Sequence, residues 1–87
     1  MPDAEIELSG PAARAVAVGH AQFAETGYAI ERFSVEVVTH PDSFEVVFAP
    51  EQTPGHPVRG GFTDAGRELH YWVSRQDFSL LRTSYAR

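Results

Sequence analysis

The spacing of hydrophobic residues in this chain changes at about Tyr28, and this change limits the folds that the chain can adopt. Residues 12–25 contain no proline, are rich in alanine, and place one set of side chains on one side at helical spacing: Val16, His20, Phe23 and Ala24, beside Ala13 and Ala17. From residue 33 onward, apolar and polar residues alternate, which is the period of a half-buried strand. The sequence therefore predicts a helix followed by strands.

The predicted helix has identifiable ends. Ser9 or Gly10 can serve as its N-cap. Pro11 suits the first turn because the N–H that proline lacks would have had no partner there. Gly27 fits a left-handed C-terminal cap. We therefore predict a helix over residues 10–26.

The rest of the chain predicts two hairpins separated by a long connection. Residues 33–38 and 44–49 alternate on either side of a Pro-Asp turn, and residues 67–75 and 78–85 alternate on either side of a second tight turn. The connection, residues 50–66, holds three prolines and four glycines. That composition excludes a regular element throughout it.

These elements predict a single α+β domain, residues 1–87, in which one N-terminal helix packs on a curved four-stranded antiparallel sheet. Residues 1–9 would be an N-terminal arm. A chain of 87 residues with 43% hydrophobic composition suffices for one core. One face of the sheet must cover the helix, and alternation assigns to it Phe33, Val35, Val37, Phe44, Val46, Phe48, Leu69, Tyr71, Val73, Phe78 and Leu80.

The same alternation turns a second set of side chains outward, away from the helix. An aromatic pair with aliphatic neighbours, Leu81 among them, would form an apolar patch larger than monomers usually expose. Acidic residues would rim it, as in an interaction hot spot. We therefore predict a partner-binding site made of Trp72, Tyr85, Val38, Val47, Glu36, Glu45 and His70. Self-association as a homodimer, and cover by residues 1–9 or by the long connection, remain open as alternatives.

Charge and hydropathy exclude other classes of partner. Twelve acidic residues against seven basic ones give a net charge of −5, and the basic residues do not cluster. This argues against nucleic acid and suits a basic partner protein. No apolar run approaches a membrane span, and the start MPDAEIELSG lacks a secretory signal, so we expect a cytoplasmic protein. All seven basic residues are arginine, which suggests a GC-rich bacterial genome.

No residue pattern predicts catalysis, a metal or a cofactor. Without cysteine there is no thiolate zinc site and no cysteine nucleophile. The four histidines, His20, His40, His56 and His70, lack short metal-ligand spacing. His40 and Asp42 fit ordinary turn chemistry. The serines lie in strands or turns rather than on a nucleophile elbow: Ser34, Ser74, Ser79 and Ser84.

Two further patterns also favour an unremarkable interpretation. Gly60-Gly61 does not lie between a strand and a helix that could hold a phosphate. Glu36 and Glu45 could pair on neighbouring strands, but exposed glutamates on a sheet are usually solvated. The sequence therefore predicts a protein that is not an enzyme.

The order of elements resembles that of small bacterial immunity proteins of the cystatin-like or nuclear-transport-factor-like kind. An alanine-rich helix, a hairpin and a glycine pair precede the pattern Gly66-x4-Tyr71-x-Val73-Ser74-x2-Asp77-x3-Leu81. The chain departs from related sequences where Phe78 stands in place of a frequent glycine. The resemblance implies a stoichiometric inhibitor that neutralises a partner toxin.

Two other classes remain open. A small ligand-binding protein or enzyme of the nuclear-transport-factor-like type would use a hollow between helix and sheet, with Tyr71 or His20 as its polar groups. A PepSY-like inhibitory module has a similar order of helix and sheet. A bound ligand would favour the former, and a longer precursor the latter.

Overall fold

The fold is α+β, with one helix packed on a four-stranded antiparallel sheet. The computed structural model describes residues 7–51, 62–63 and 66–85. The helix α1 is continued by one 3₁₀ turn and followed by another. The elements in chain order are α1 Gly10–Phe23, the 3₁₀ turns Ala24–Thr26 and Ile30–Arg32, and the strands β1 Phe33–Thr39, β2 Ser43–Pro50, β3 Phe62–Thr63, β4 Gly66–Arg67, β5 Leu69–Ser74 and β6 Leu80–Tyr85.

The main sheet has the strand order β1-β2-β5-β6, with antiparallel neighbours throughout. This is the predicted pair of hairpins laid side by side. β3 and β4 pair with each other as a small separate ladder that the sequence did not predict. It overlaps the end of the predicted connection and, at Arg67, the start of the predicted third strand. The rest of that connection over 52–61, and residues 1–6 of the predicted arm, lie outside the described residues. No helix among the described residues is long and apolar enough to cross a membrane.

The predicted ends of the helix are confirmed. The Ser9 hydroxyl accepts a hydrogen bond from the Ala12 N–H at 3.1 Å, so Ser9 is the N-cap, and Pro11 lies in the first turn. The 3₁₀ turn that continues α1 ends at Gly27, which has a φ of 80°. Glycine adopts this left-handed conformation without the steric cost that other residues incur.

The side of the helix that faces the sheet includes the predicted Phe23, with Val16 at its border, but not the other predicted residues. His20, Ala13, Ala17 and Ala24 are exposed, and Val16 is half-buried. A Cβ atom placed on Gly19 would lie 3.3 Å from the Val46 side chain, so the helix backbone approaches β2 closely. Such a close approach needs small side chains between the helix and the sheet. The buried face of the helix therefore consists mainly of its smallest residues rather than its most hydrophobic ones: Ala12, Ala15, Gly19 and Phe23.

The predicted core face of the sheet is confirmed with one exception. Its most deeply buried members are Phe48, Val46, Val73 and Leu69, each at most 1% exposed. Phe23 anchors the helix onto them, since its ring stacks on that of Phe48 with 4.6 Å between centroids. The other buried members are Phe33, Phe44 and Tyr71, and Val37, Phe78 and Leu80 are partly buried against them.

The exception is Val35, which is 44% exposed although its position in β1 faces the helix side. α1 packs against β2 and β5, so it lies over the centre of the sheet and leaves the β1 edge uncovered. The prediction that Val35 belongs to the core is therefore wrong.

Phe78 has a positive φ of 60°. This conformation costs a non-glycine residue about 1–2 kcal/mol. The Phe78 ring offsets that cost by packing against the core, 6.4 Å from the Phe44 ring, with the Arg14 guanidinium 4.4 Å above it.

A β-bulge interrupts β6. Val73 pairs with Leu80 and Trp72 pairs with Arg82, so Leu81 has no partner on β5. A bulge adds one residue to a strand and thereby shifts the alternation of all residues beyond it. Residues of β6 after Leu81 therefore face the side opposite to the one that simple alternation predicts.

Candidate functional site

The outward face of the main sheet carries the candidate site. Cross-strand pairing places its side chains in two adjacent rows that run across all four strands. One row is Glu36, Val47, His70 and Ser84, and the other is Val38, Glu45, Trp72 and Arg82. α1 packs on the other face of the sheet, against β2 and β5.

A chain of hydrogen bonds links four side chains of this face. His40 Nε2 donates to Glu45 Oε1 at 2.9 Å. His70 Nδ1 lies 2.5 Å from Glu45 Oε2, and His70 Nε2 lies 2.7 Å from Glu68 Oε2. These four residues, His40, Glu45, His70 and Glu68, are called the outward network below.

His70 is held as an imidazolium in this geometry. Each of its ring nitrogens faces a carboxylate oxygen, and an ionised carboxylate can only accept, so both hydrogen bonds form together when both nitrogens carry a proton. Burial of the ring would by itself lower the pKa of His70. The hydrogen bonds and charges of Glu45 and Glu68 outweigh that effect and raise this pKa above its usual value.

Glu45 is the junction of the outward network. Its side chain is only 16% exposed, and burial alone would raise its pKa. Hydrogen bonds from His40 and His70, together with their charges, outweigh burial and lower the pKa of Glu45. The carboxylate therefore stays ionised, with both oxygens occupied.

Trp72 lies between two cationic groups beside this network. The Arg82 guanidinium is 4.0 Å from the centroid of the Trp72 ring. The His70 ring is nearly parallel to the indole, at 5.8 Å between centroids and 22° between planes. The indole face is electron-rich and attracts cations, so both neighbours hold Trp72 in one orientation.

Six of the seven predicted site residues lie on the outward face, where they form a largely polar surface rather than the expected apolar patch. Glu36 is exposed, while Val38, Glu45, His70 and Trp72 are half-buried. Val47 is only 7% exposed, so it supports the surface from beneath. Leu81, expected to extend the patch, is 56% exposed and lies at the bulge.

The placement of Tyr85 on the outward face is wrong. Tyr85 pairs with the core residue Leu69, so its side chain projects toward the helix side of the sheet. The bulge at Leu81 is the reason, because it reverses the alternation of the residues that follow. The same reversal brings Arg82 to the outward face beside Trp72, where unbroken alternation would not have placed it.

Two other residues of the outward network were not among those predicted for the site. Glu68 precedes His70 by two residues and therefore shares its face, so the two-residue alternation of a strand would have been enough to predict it. His40 was interpreted as part of a turn. Its approach to Glu45 depends on the hairpin register, which sets His40 opposite Ser43.

The outward network resembles a metal-ligand set in composition but not in arrangement. Within residues 7–51, 62–63 and 66–85, no three His, Cys, Asp or Glu side chains converge on a point where they could hold a metal ion. The histidines bond to the carboxylates instead of converging with them.

A separate cleft of about 370 Å³ lies on the helix side, between the end of α1 and strands β5 and β6. Its walls are Gln22, Glu25, Thr26, Tyr71, Thr83 and Tyr85. Burial raises the pKa of Tyr71, with smaller effects from Tyr85, Glu25 and Tyr28. His20, the other polar group suggested for a hollow between helix and sheet, is not part of this cleft and stacks beside Phe23 at 6.3 Å.

Comparisons of the chain with protein-family models, with curated proteins and with solved structures found no match. The function of the outward face is therefore inferred from its geometry.

Proposed function

We propose that this chain is a protein-binding module that contacts its partner through the outward sheet face. In its more specific form, suggested by the resemblance in element order, it is an immunity protein that neutralises a toxin by stoichiometric binding. The observation that supports a contact surface is the fixed position of Trp72 between Arg82 and His70.

Rigid aromatic and arginine side chains are the residues that dominate binding energy at protein interfaces. A side chain already held in one rotamer loses little conformational entropy when a partner covers it. On this face the outward network fixes His70, and His70 in turn stacks on Trp72. Binding at Trp72 would therefore avoid much of the ordering cost.

The charge of the chain favours a basic partner. The net charge is −5, and Glu36 is an exposed carboxylate in the row next to Trp72. A rim charge of this kind acts mainly on the rate of association and loses its effect as salt rises.

The proposal is tested by capture followed by neutralisation. The chain, immobilised as bait in extract from cells of its source, should retain one protein at a ratio of one to one. Trp72→Ala should weaken that complex by ~2 kcal/mol or more, as measured by calorimetry with the purified partner. Production of the partner alone should arrest growth, and production of this chain beside it should restore growth.

Leu81→Ala is the matched control, because Leu81 is an exposed apolar residue at the bulge, outside the two rows. It should leave affinity unchanged. Equal weakening by both variants would contradict a specific site at Trp72. A captured protein that is harmless when produced alone would contradict the immunity role while leaving the binding role intact.

The cleft beside Tyr71 supports a second candidate, a small-ligand-binding protein. Its walls supply hydroxyl, amide and carboxylate groups around a recess open to solvent, which suits a small polar ligand. Nuclear magnetic resonance screening of polar metabolites would test it. Shifts confined to Thr83 and Tyr71 would support this candidate, and no shifts there would contradict it.

A further inference from the structure

β1 forms one edge of the main sheet. Among the described residues it pairs only with β2, in an unbroken register from Phe33 to Thr39. Natural edge strands are usually protected against further pairing by charged side chains, lysine above all, or by proline, a bulge or a covering element, and the one charged residue of β1 is Glu36. β1 has no lysine, proline or bulge, whereas β6 at the opposite edge has a bulge.

Two hydrogen bonds identify the backbone groups that β1 turns away from β2. The His40 N–H donates to the Ser43 carbonyl at 2.9 Å, and the Glu51 N–H donates to the Arg32 carbonyl at 2.8 Å. Bonded pairs alternate along an antiparallel ladder, so the even-numbered residues of β1 bond to β2. The odd-numbered residues therefore direct their N–H and C=O groups along the outer edge: Phe33, Val35, Val37 and Thr39.

The side chains along this edge define what an added strand would need. Val35 is 44% exposed and Val37 is half-buried on the helix side, where α1 does not cover β1. Apolar residues of an added strand would bury both valines. Since these valines would form the hydrogen-bonded pairs, the added strand would gain its backbone bonds at the same positions.

Glu36 sets the charge of the added strand. The N–H and C=O of Glu36 point to β2. In an antiparallel added strand, the residue opposite Glu36 would therefore form a non-hydrogen-bonded pair with it. The Cα atoms of such a pair lie about 4.5 Å apart, closer than those of a hydrogen-bonded pair. A like charge directly opposite destabilises such a pair and an opposite charge stabilises it. A basic residue opposite Glu36 is therefore favoured.

We propose that the β1 edge binds an extended segment of a partner protein by strand addition. The segment carries apolar residues beside Val35 and Val37 and a basic residue opposite Glu36. A second copy of this chain fits less well, because β1 paired with itself in full antiparallel register sets Glu36 opposite Glu36. This binding surface shares Glu36 with the outward face, but its backbone groups and valines lie at the β1 edge, so it does not depend on the function proposed for Trp72.

The probe is a capped, fluorescently labelled seven-residue peptide that alternates valine with arginine, compared with one that alternates valine with glutamate. The arginine peptide should bind about tenfold more tightly or better at low salt, as measured by anisotropy. It should protect the amides of Val35 and Val37 from hydrogen exchange. Glu36→Arg should reverse the preference between the two peptides.

Val35→Pro removes one outward N–H without removing a bond to β2, because proline at this position loses only the outward donor. It should abolish peptide binding, whereas Val35→Ala keeps the N–H and should retain the preference for arginine. Trp72→Ala should leave peptide binding unchanged. Equal affinity for both peptides in the original chain, or protection of β6 amides instead, would overturn the proposal. A dimer that protects the same amides without peptide would overturn it in favour of a second copy.

Discussion

His70 Nδ1 lies 2.5 Å from Glu45 Oε2, joining β5 to β2 across the outward face of the sheet. Glu68 contacts the other ring nitrogen of His70 and helps to raise its pKa. The positive charge of the protonated ring then strengthens the contact with Glu45. The pair is thus a link between the two hairpins whose strength depends on pH.

The His70 link should stabilise the fold below neutral pH and weaken in base. The folded-state pKa of His70 is raised above its ordinary value of 6.5, so its stabilising contribution is complete below that value and is lost as pH rises through the folded pKa. The difference in unfolding free energy between the original chain and His70→Gln should therefore shrink as pH rises above 6.5 and through the raised folded-state pKa of His70. Urea denaturation across this range measures it, and a constant difference would contradict the imidazolium assignment.

Glu45 should show the opposite dependence at acid pH. Its folded-state pKa lies below the ordinary value of 4.5, so its contribution is present above that value and is lost as pH falls through the folded pKa. The stability difference between the original chain and Glu45→Gln should therefore decrease on acidification below about pH 5. Glu36→Gln, the same change at an exposed position of the same face, is the control. An identical profile for both variants would show that the outward network is not responsible.

Phe48→Ala should be among the most destabilising single changes in the core. The ring is fully buried and stacks on Phe23, so its removal leaves a cavity beneath the helix and should cost ~3–5 kcal/mol. Chemical denaturation gives the value. Leu81→Ala removes an exposed apolar side chain and should change stability by no more than about 0.5 kcal/mol. Comparable losses in the two variants would mean that Phe48 is not a core residue.

Gly66→Ala should destabilise the point at which β4 contacts Tyr28. A Cβ atom there would lie 2.8 Å from the Tyr28 ring, and Gly66 has a φ of 141°. Both the contact and the backbone conformation disfavour alanine, with an expected loss of about 1–3 kcal/mol. Gly10→Ala is the matched control, since a Cβ atom there meets nothing within 4 Å. Thermal melts of the two variants should therefore differ, and equal melting temperatures would contradict the contact.

The sequence was sufficient to predict the order of α1 and the four strands of the main sheet, though not the β3–β4 ladder, because the ends of α1 and the alternation in β1, β2 and β5 are local signals. Ser9, Gly27 and the core position of Phe48 follow from such signals alone. The exposure of Val35 does not, because it depends on which strands the helix covers. The helix face was also beyond local signals, since the close approach at Gly19 is a property of packing.

The candidate site divides in the same way. His70, Glu45 and Trp72 were placed on the correct face by period two, but their mutual contacts depend on the register between strands. Arg82 rather than Tyr85 lies on the outward face because of the bulge at Leu81. β6 contains no glycine or other residue from which this bulge could have been predicted.

The single unpaired position at Leu81 shifts the alternation of β6 by one residue. Leu80, before this position, faces the side that simple alternation predicts, and each residue after it faces the side opposite to the predicted one. If β6 instead paired with β5 in an unbroken ladder, Leu81 would stand opposite Trp72 and Arg82 opposite Tyr71. The cation over Trp72 would then move to the cleft beside Tyr71, and the Tyr85 phenol would turn to the outward surface. The one unpaired position in β6 therefore determines which of its side chains belong to each surface of the sheet.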